Sequence, residues 1–136
     1  MTFGEATDFV TEFLRGDNSN AVISPIHFEM AIMEIATMCV PSQLKVKFDG
    51  TQMDIFRMLP EEEVRVSEFE IDTVTFYIKN PVIATPLVPT DEMPIDQQLS
   101  LAVVFQVCAY LSNKYTDRFE AKSKRTISVY VSNELP

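Results

Sequence analysis

From Leu99 to Leu111 the chain runs Leu, Ser, Leu, Ala, Val, Val, Phe, Gln, Val, Cys, Ala, Tyr, Leu, with Ser100 and Gln106 as the only strongly polar side chains. The spacing predicts a helix over 95–115, with Lys114 placed to favour the negative end of its dipole. A helix that is apolar on nearly every side cannot lie alone on a surface. It is also too short and too interrupted to cross a membrane. The rest of the chain must therefore supply elements that wrap it.

Two further segments have helical spacing. Over 2–15, Phe3, Ala6, Phe9, Val10, Phe13 and Leu14 recur three and four residues apart. Thr2 and Glu5 form a capping box, and Gly16 is a natural stop. Over 25–39, Ser24 caps and Pro25 fits the first turn, where its missing amide costs nothing. Ile26, Phe28, Met30, Ala31, Ile32, Met33, Ile35, Ala36, Met38 and Cys39 cover most of that helix's circumference. Pro41 ends it.

Between these helices the period changes to two. Leu44, Val46 and Phe48 alternate with Lys45 and Lys47, Asp49-Gly50 follows, and then come Thr51, Met53 and Ile55. A two-residue turn at Asp49-Gly50 predicts a hairpin over 43–56 with its apolar side chains on one face. Alternation resumes over 64–79 and changes parity after Val66 and again between Ile71 and Val74, so a bulge or turn is expected at each change. Pro81, Pro86, Pro89 and Pro94 make 80–94 an extended connector. Ile127, Val129 and Val131 alternate with Ser128, Tyr130 and Ser132, which predicts a late strand. That strand could complete its own sheet or a neighbour's edge.

Charge divides the chain. The 136 residues carry a net −9. Residues 1–113 hold 17 acids and 6 bases, whereas 114–125 holds Lys114, Arg118, Lys122, Lys124 and Arg125 against Asp117 and Glu120. A broad nucleic-acid surface is disfavoured by this balance. If this part of 64–79 is strand, Glu68, Glu70 and Asp72 share one face. They form either a solvent face that resists edge pairing or a docking strip for the basic segment, within the chain or on another copy.

Catalytic and metal chemistry find little to use. His27 falls at a helix start beside Ser24, which reads as a cap, and Glu29 does not share its face. There is no nucleophile elbow, phosphate loop or dinucleotide fingerprint. Glu61-Glu62-Glu63 fits a solvated turn, not a calcium loop. A carboxylate pair such as Glu68 and Glu70 would do acid–base work only in a pocket that raised one pKa, and no such pocket is signalled. Cys39 and Cys108 sit in apolar runs, too far apart to imply a zinc site or a disulfide framework. No cofactor, no metal and no small-molecule substrate are expected. A reducing, cytoplasmic setting fits the cysteines, and the first residues lack the basic and apolar regions of a secretory leader.

The helix from Asp96-Gln97-Gln98-Leu99 through Asn113-Lys114-Tyr115, with a charged extension behind it, resembles the layout of head–tail connector or adaptor proteins of tailed bacteriophages. The resemblance covers about a third of the chain and includes no diagnostic motif. It implies a non-enzymatic subunit of an oligomeric ring in a virion neck, assembled in the host cytoplasm. Its partners would be other copies and a portal or tail subunit.

Together these features predict an α+β domain over 1–113, three helices packed with an antiparallel sheet, followed by a basic arm over 114–136. Lys114, Arg118, Lys122, Lys124 and Arg125 are the candidate partner-binding residues, with Glu68, Glu70 and Asp72 as their acidic counterpart. The alternative is a cytosolic module that binds a peptide or apolar ligand between its helices, where Met30, Met33 and Met38 would line an adaptable groove.

Overall fold

The computed structural model describes residues 1–48, 64–71, 74–79 and 81–134. The first helix, α1 (Phe3–Phe13), starts at the capping box expected of its sequence. Thr2 Oγ1 accepts the Glu5 amide at 3.1 Å, and Glu5 Oε1 accepts the Thr2 amide at 3.2 Å. The bond from the Thr2 amide, and then the one its hydroxyl donates to the same Glu5 oxygen at 3.1 Å, hold the Glu5 pKa below its usual value. Gly16, at φ 82°, closes the helix, and the Asp17 and Asn18 amides turn back to the Leu14 carbonyl. Helix α2 (Pro25–Met38) follows Ser24, whose amide donates to His27 Nδ1 at 3.1 Å. His27 is thus a helix-start residue occupied with capping.

A short 3-10 turn, Gln97–Leu99, leads into α3 (Ser100–Leu111). Ala102, Val103, Val104, Val107 and Cys108 are fully buried there, and α1, α2 and the last helix, α4 (Thr116–Glu134), all pack on this helix. Each buried valine is worth about 2 kcal/mol. Edge-to-face packing of Phe3 on Phe28, with centroids 5.2 Å apart, joins α1 to α2.

The sequence-based expectation of an α+β fold is corrected here. The body is helical, with four α-helices among the described residues. The predicted late strand is part of α4 (Thr116–Glu134), so the basic arm expected over 114–136 is instead largely a helix packed along α3. The reason lies in the longer period. Phe119, Ser123, Ile127 and Tyr130 are buried, whereas Val129 and Val131 are exposed. A strand would have put Ile127, Val129 and Val131 on one face. Spacings of four, four and three place the buried set on one side of a helix instead. The hydroxyls of Thr126 and Ser128 settle into the helix by donating to the Lys122 and Lys124 carbonyls, each at 3.0 Å.

The strand segments pair among themselves: β1 (Lys45–Phe48), β2 (Val64–Ile71) and β3 (Val74–Lys79), all antiparallel, in the order β1-β3-β2. Leu44, just before β1, and Ile78 of β3 are buried in the core. The register shifts between Arg65 and Phe69, and the chain reverses between Ile71 and Val74, the two regions where the sequence alternation changes phase. In the predicted 43–56 hairpin, β1 pairs with β3, and the Asp49-Gly50 turn and its return segment lie outside the described residues.

The proline-rich connector is extended, and its carbonyls serve α1. The Phe3 and Gly4 amides donate to the Asp91 and Pro89 carbonyls, each at 2.9 Å, which satisfies two of the four orphan donors of the helix start. A Cβ at Gly4 would meet the Pro89 oxygen at 3.0 Å, so this approach needs glycine.

Candidate interaction surface

The helices are locked by polar contacts at their ends. Asp96 is nearly buried. Its carboxylate accepts the Ser42 and Gln43 amides, each at 2.9 Å, and the Tyr130 hydroxyl at 2.5 Å. One side chain therefore joins the chain after α2, the entry to α3 and the end of α4. Burial alone would raise the Asp96 pKa, but these donors outweigh it and hold the carboxyl below its ordinary range. Burial, and then the bond to Asp96, pushes Tyr130 up to about 12.

At the other end of α3, Asp17 accepts the Ser112 hydroxyl at 2.5 Å and the Lys114 amide at 3.1 Å. Asn18 Nδ2 donates to the Leu111 carbonyl at 2.7 Å. The polar loop after α1 thereby fixes the junction from which α4 departs. Glu34 on α2 accepts from Gln106 Nε2 at 3.0 Å and from the Tyr110 hydroxyl, both on α3. Burial first, and Glu34 second, raises the Tyr110 pKa.

This frame presents one unusual face. Phe9 and Phe13 on α1 stack with centroids 6.1 Å apart, and Phe13 stacks on Phe105 of α3 at 5.4 Å. Phe9 and Phe13 are 41% and 37% exposed, and Leu101, one turn before Phe105, is 40% exposed, so the row is open at its α1 end, while Phe105 is half-buried against the core. Lys122 Nζ of α4 stands 5.7 Å from the Phe105 centroid and 6.0 Å from that of Phe119. Arg118 lies over Tyr115 at 5.0 Å. Three helices thus contribute a continuous aromatic row that ends in cations.

The predicted basic residues are all at the surface. Lys114, Arg118, Lys122, Lys124 and Arg125 are exposed, and among the described residues none forms an ion pair. Lys114 lies in the turn before α4, and the structure divides the other four between two flanks of that helix. Lys122, Arg118 and Arg125 lie on the flank toward Phe105. Lys124 lies on the other flank, with Asp117 and Glu120. Glu68 and Glu70 belong to β2, Asp72 lies outside the described residues, and so does any contact between that strip and the helix. In the sequence Phe9 and Phe13 belong to a helix stripe that must pack on its own core or on a neighbour, and Phe105 to a helix too apolar to lie alone, so no pattern there joins the three into one surface. A partial signal lies in α1, whose apolar arc is wider than Phe3, Ala6, Val10 and Leu14 need.

A second opening, of about 480 Å³, runs between Met38 at the end of α2 and Lys124, Ile127, Ser128, Val131 and Ser132 on α4. Burial raises the thiol pKa of Cys39 to about 11 and of Cys108 to about 12, so both favour the unreactive thiol form. Among the described residues no group of His, Cys, Asp and Glu could hold a metal ion, and no helix is long and apolar enough to cross a membrane. Comparison with protein-family models, curated proteins and solved structures finds no match to this chain.

Proposed function

We propose that this chain is a non-enzymatic structural subunit that acts by contact with neighbouring chains, copies of itself first. The observation that carries this reading is the exposed pair Phe9 and Phe13, stacked on to the half-buried Phe105 and joined to cations on α4 that form no ion pair among the described residues. Aromatic side chains with little rotamer entropy to lose, beside arginines, are the composition of contact centres between proteins. Covering them removes apolar area from water, the main driving force of association.

In its narrowest form the assembly is a ring in a viral neck, built in the host cytoplasm. That form draws on the resemblance in layout, of which the helix at α3 remains and the reaching arm does not. Electron microscopy and native mass spectrometry of the purified chain test the proposal. Discrete oligomers are expected. A chain that stays single alone and with every protein of its native lysate overturns it.

The groove beside Met38 favours a second reading, a module for a peptide or an apolar ligand. Native mass spectrometry with a fatty acid or an apolar peptide would then show a 1:1 complex, lost in Val131→Asp. No complex at saturating ligand excludes this reading.

A further inference from the structure

The aromatic face is banded by charge, and the order of the bands points to its occupant. About 3.6 residues make one helical turn, so the positions around each helix follow from their spacing. Going round α1 from Phe105, Phe13 comes first, then Phe9, then Glu5 and Glu12, then Asp8. Glu5, Asp8, Phe9 and Glu12 line one shallow depression, and all four are exposed. Going the other way from Phe105, α4 presents Lys122, then Arg118 and Arg125. The acids of α4, Asp117 and Glu120, fall on its far flank. The face therefore reads acid, aromatic, base across three adjacent helices.

We infer that this face docks on the same face of a second copy, about a two-fold axis that lies in the contact and crosses the Phe13–Phe105 row at right angles. A two-fold contact places each patch against itself in reverse. A surface of one charge would repel itself in that arrangement. A surface that runs from acid through apolar to base meets its complement at both edges, with Asp8 and Glu12, the latter also paired with Arg15 of its own helix at 2.8 Å, facing Lys122, Arg118 and Arg125 of the other copy. The apolar rows meet in the centre and supply the affinity, while the charged edges set the orientation. Such a contact closes as a dimer, so a ring would need a further contact elsewhere. The inference rests on the proposed self-association and names its face and symmetry.

The test uses two full-length variants. In the first, Arg118→Glu, Lys122→Glu and Arg125→Glu make both edges acidic. In the second, Asp8→Lys and Glu12→Lys make both edges basic. Circular dichroism establishes that each is folded, and light scattering reads its mass. Wild type is expected to dimerise. Each variant alone is expected to self-associate at least about tenfold more weakly, and the two mixed are expected to form a heterodimer. Phe9→Ser with Phe13→Ser weakens the wild-type dimer by at least about tenfold as well. If wild type assembles and the variants assemble equally well, or if two folded variants fail to pair when mixed, the banded face is refuted while the assembly reading stands. If wild type is a monomer at every concentration, self-association falls, and this inference with it.

Discussion

Helices α3 and α4 lie side by side and are built on opposite terms. On α3 nearly every position is apolar, and helices pack around it. Among the described side chains of α4 only Phe119, Ser123, Ile127 and Tyr130 are buried, and apart from the exposed Val129 and Val131 the rest of its surface is mostly polar or charged. Solvent exclusion leaves α3 few alternatives to the centre of the molecule. On α4 a single stripe does the packing, so the rest of its surface is available for contacts. The difference teaches that the density of apolar residues reports burial, whereas only their period reports the kind of element.

The largest expected effect breaks this contrast if it is wrong. Val104→Asp on α3 and Ile127→Asp on α4 each bury an unpaired carboxylate and should cost several kcal/mol in urea unfolding. Val129→Asp, at a position 57% exposed, should change stability by no more than about 0.5 kcal/mol. If α4 were the predicted strand, Ile127 and Val129 would share a face, and the two substitutions would cost alike.

Next in size is the lock between the helices. Asp96→Ala removes the acceptor of three hydrogen bonds and should cost about 3 kcal/mol. Because the folded-state pKa of Asp96 is depressed, its contribution is fully present above the unfolded-state value of about 3.9. It is lost as pH falls through the lower folded-state value. Wild type should therefore lose stability in acid more steeply than Asp96→Asn, as urea midpoints measured across that window would show. Parallel pH profiles would remove Asp96 from its role as a charged anchor.

Smaller effects sharpen the picture. Tyr130→Phe deletes one hydroxyl that donates to Asp96 and should cost about 1 kcal/mol. On α3 the Ser100 hydroxyl is buried without a partner among the described residues. Ser100→Ala should leave stability unchanged or raise it by less than about 1 kcal/mol. A clear loss of thermal stability in that variant would mean the hydroxyl does have a partner.

The same contrast explains what the sequence makes legible. Helices α1 and α2 begin at the caps set by Thr2 and Pro25, because capping is local chemistry. The length of apolar chain announces α3. Helix α4 was misread because six residues, Ile127 to Ser132, alternate as a strand would. The stripe that identifies it runs from Phe119 to Tyr130 and shows only over a longer window. The pairing of β1 with β3, some thirty residues on, is a second long-range feature that no local pattern names, and it leaves the other edge of β1 to residues outside those described.

The cationic half of the candidate surface was legible as charge. The aromatic half was not, because a phenylalanine that packs inward and one that stays open look alike until the neighbouring helices are placed. Asp96 escaped notice for a similar reason. Ahead of a helix it reads as a cap, yet its carboxylate makes no capping bond to the turn it precedes and binds residues more than thirty positions away on either side.

Sedimentation equilibrium of the wild-type chain across a wide range of concentration tests the central claim most directly. The account predicts a molar mass that rises from 15.5 kDa toward twice that value, with the rise much reduced in the Phe9→Ser, Phe13→Ser double variant. A mass that stays at the single-chain value throughout would contradict it.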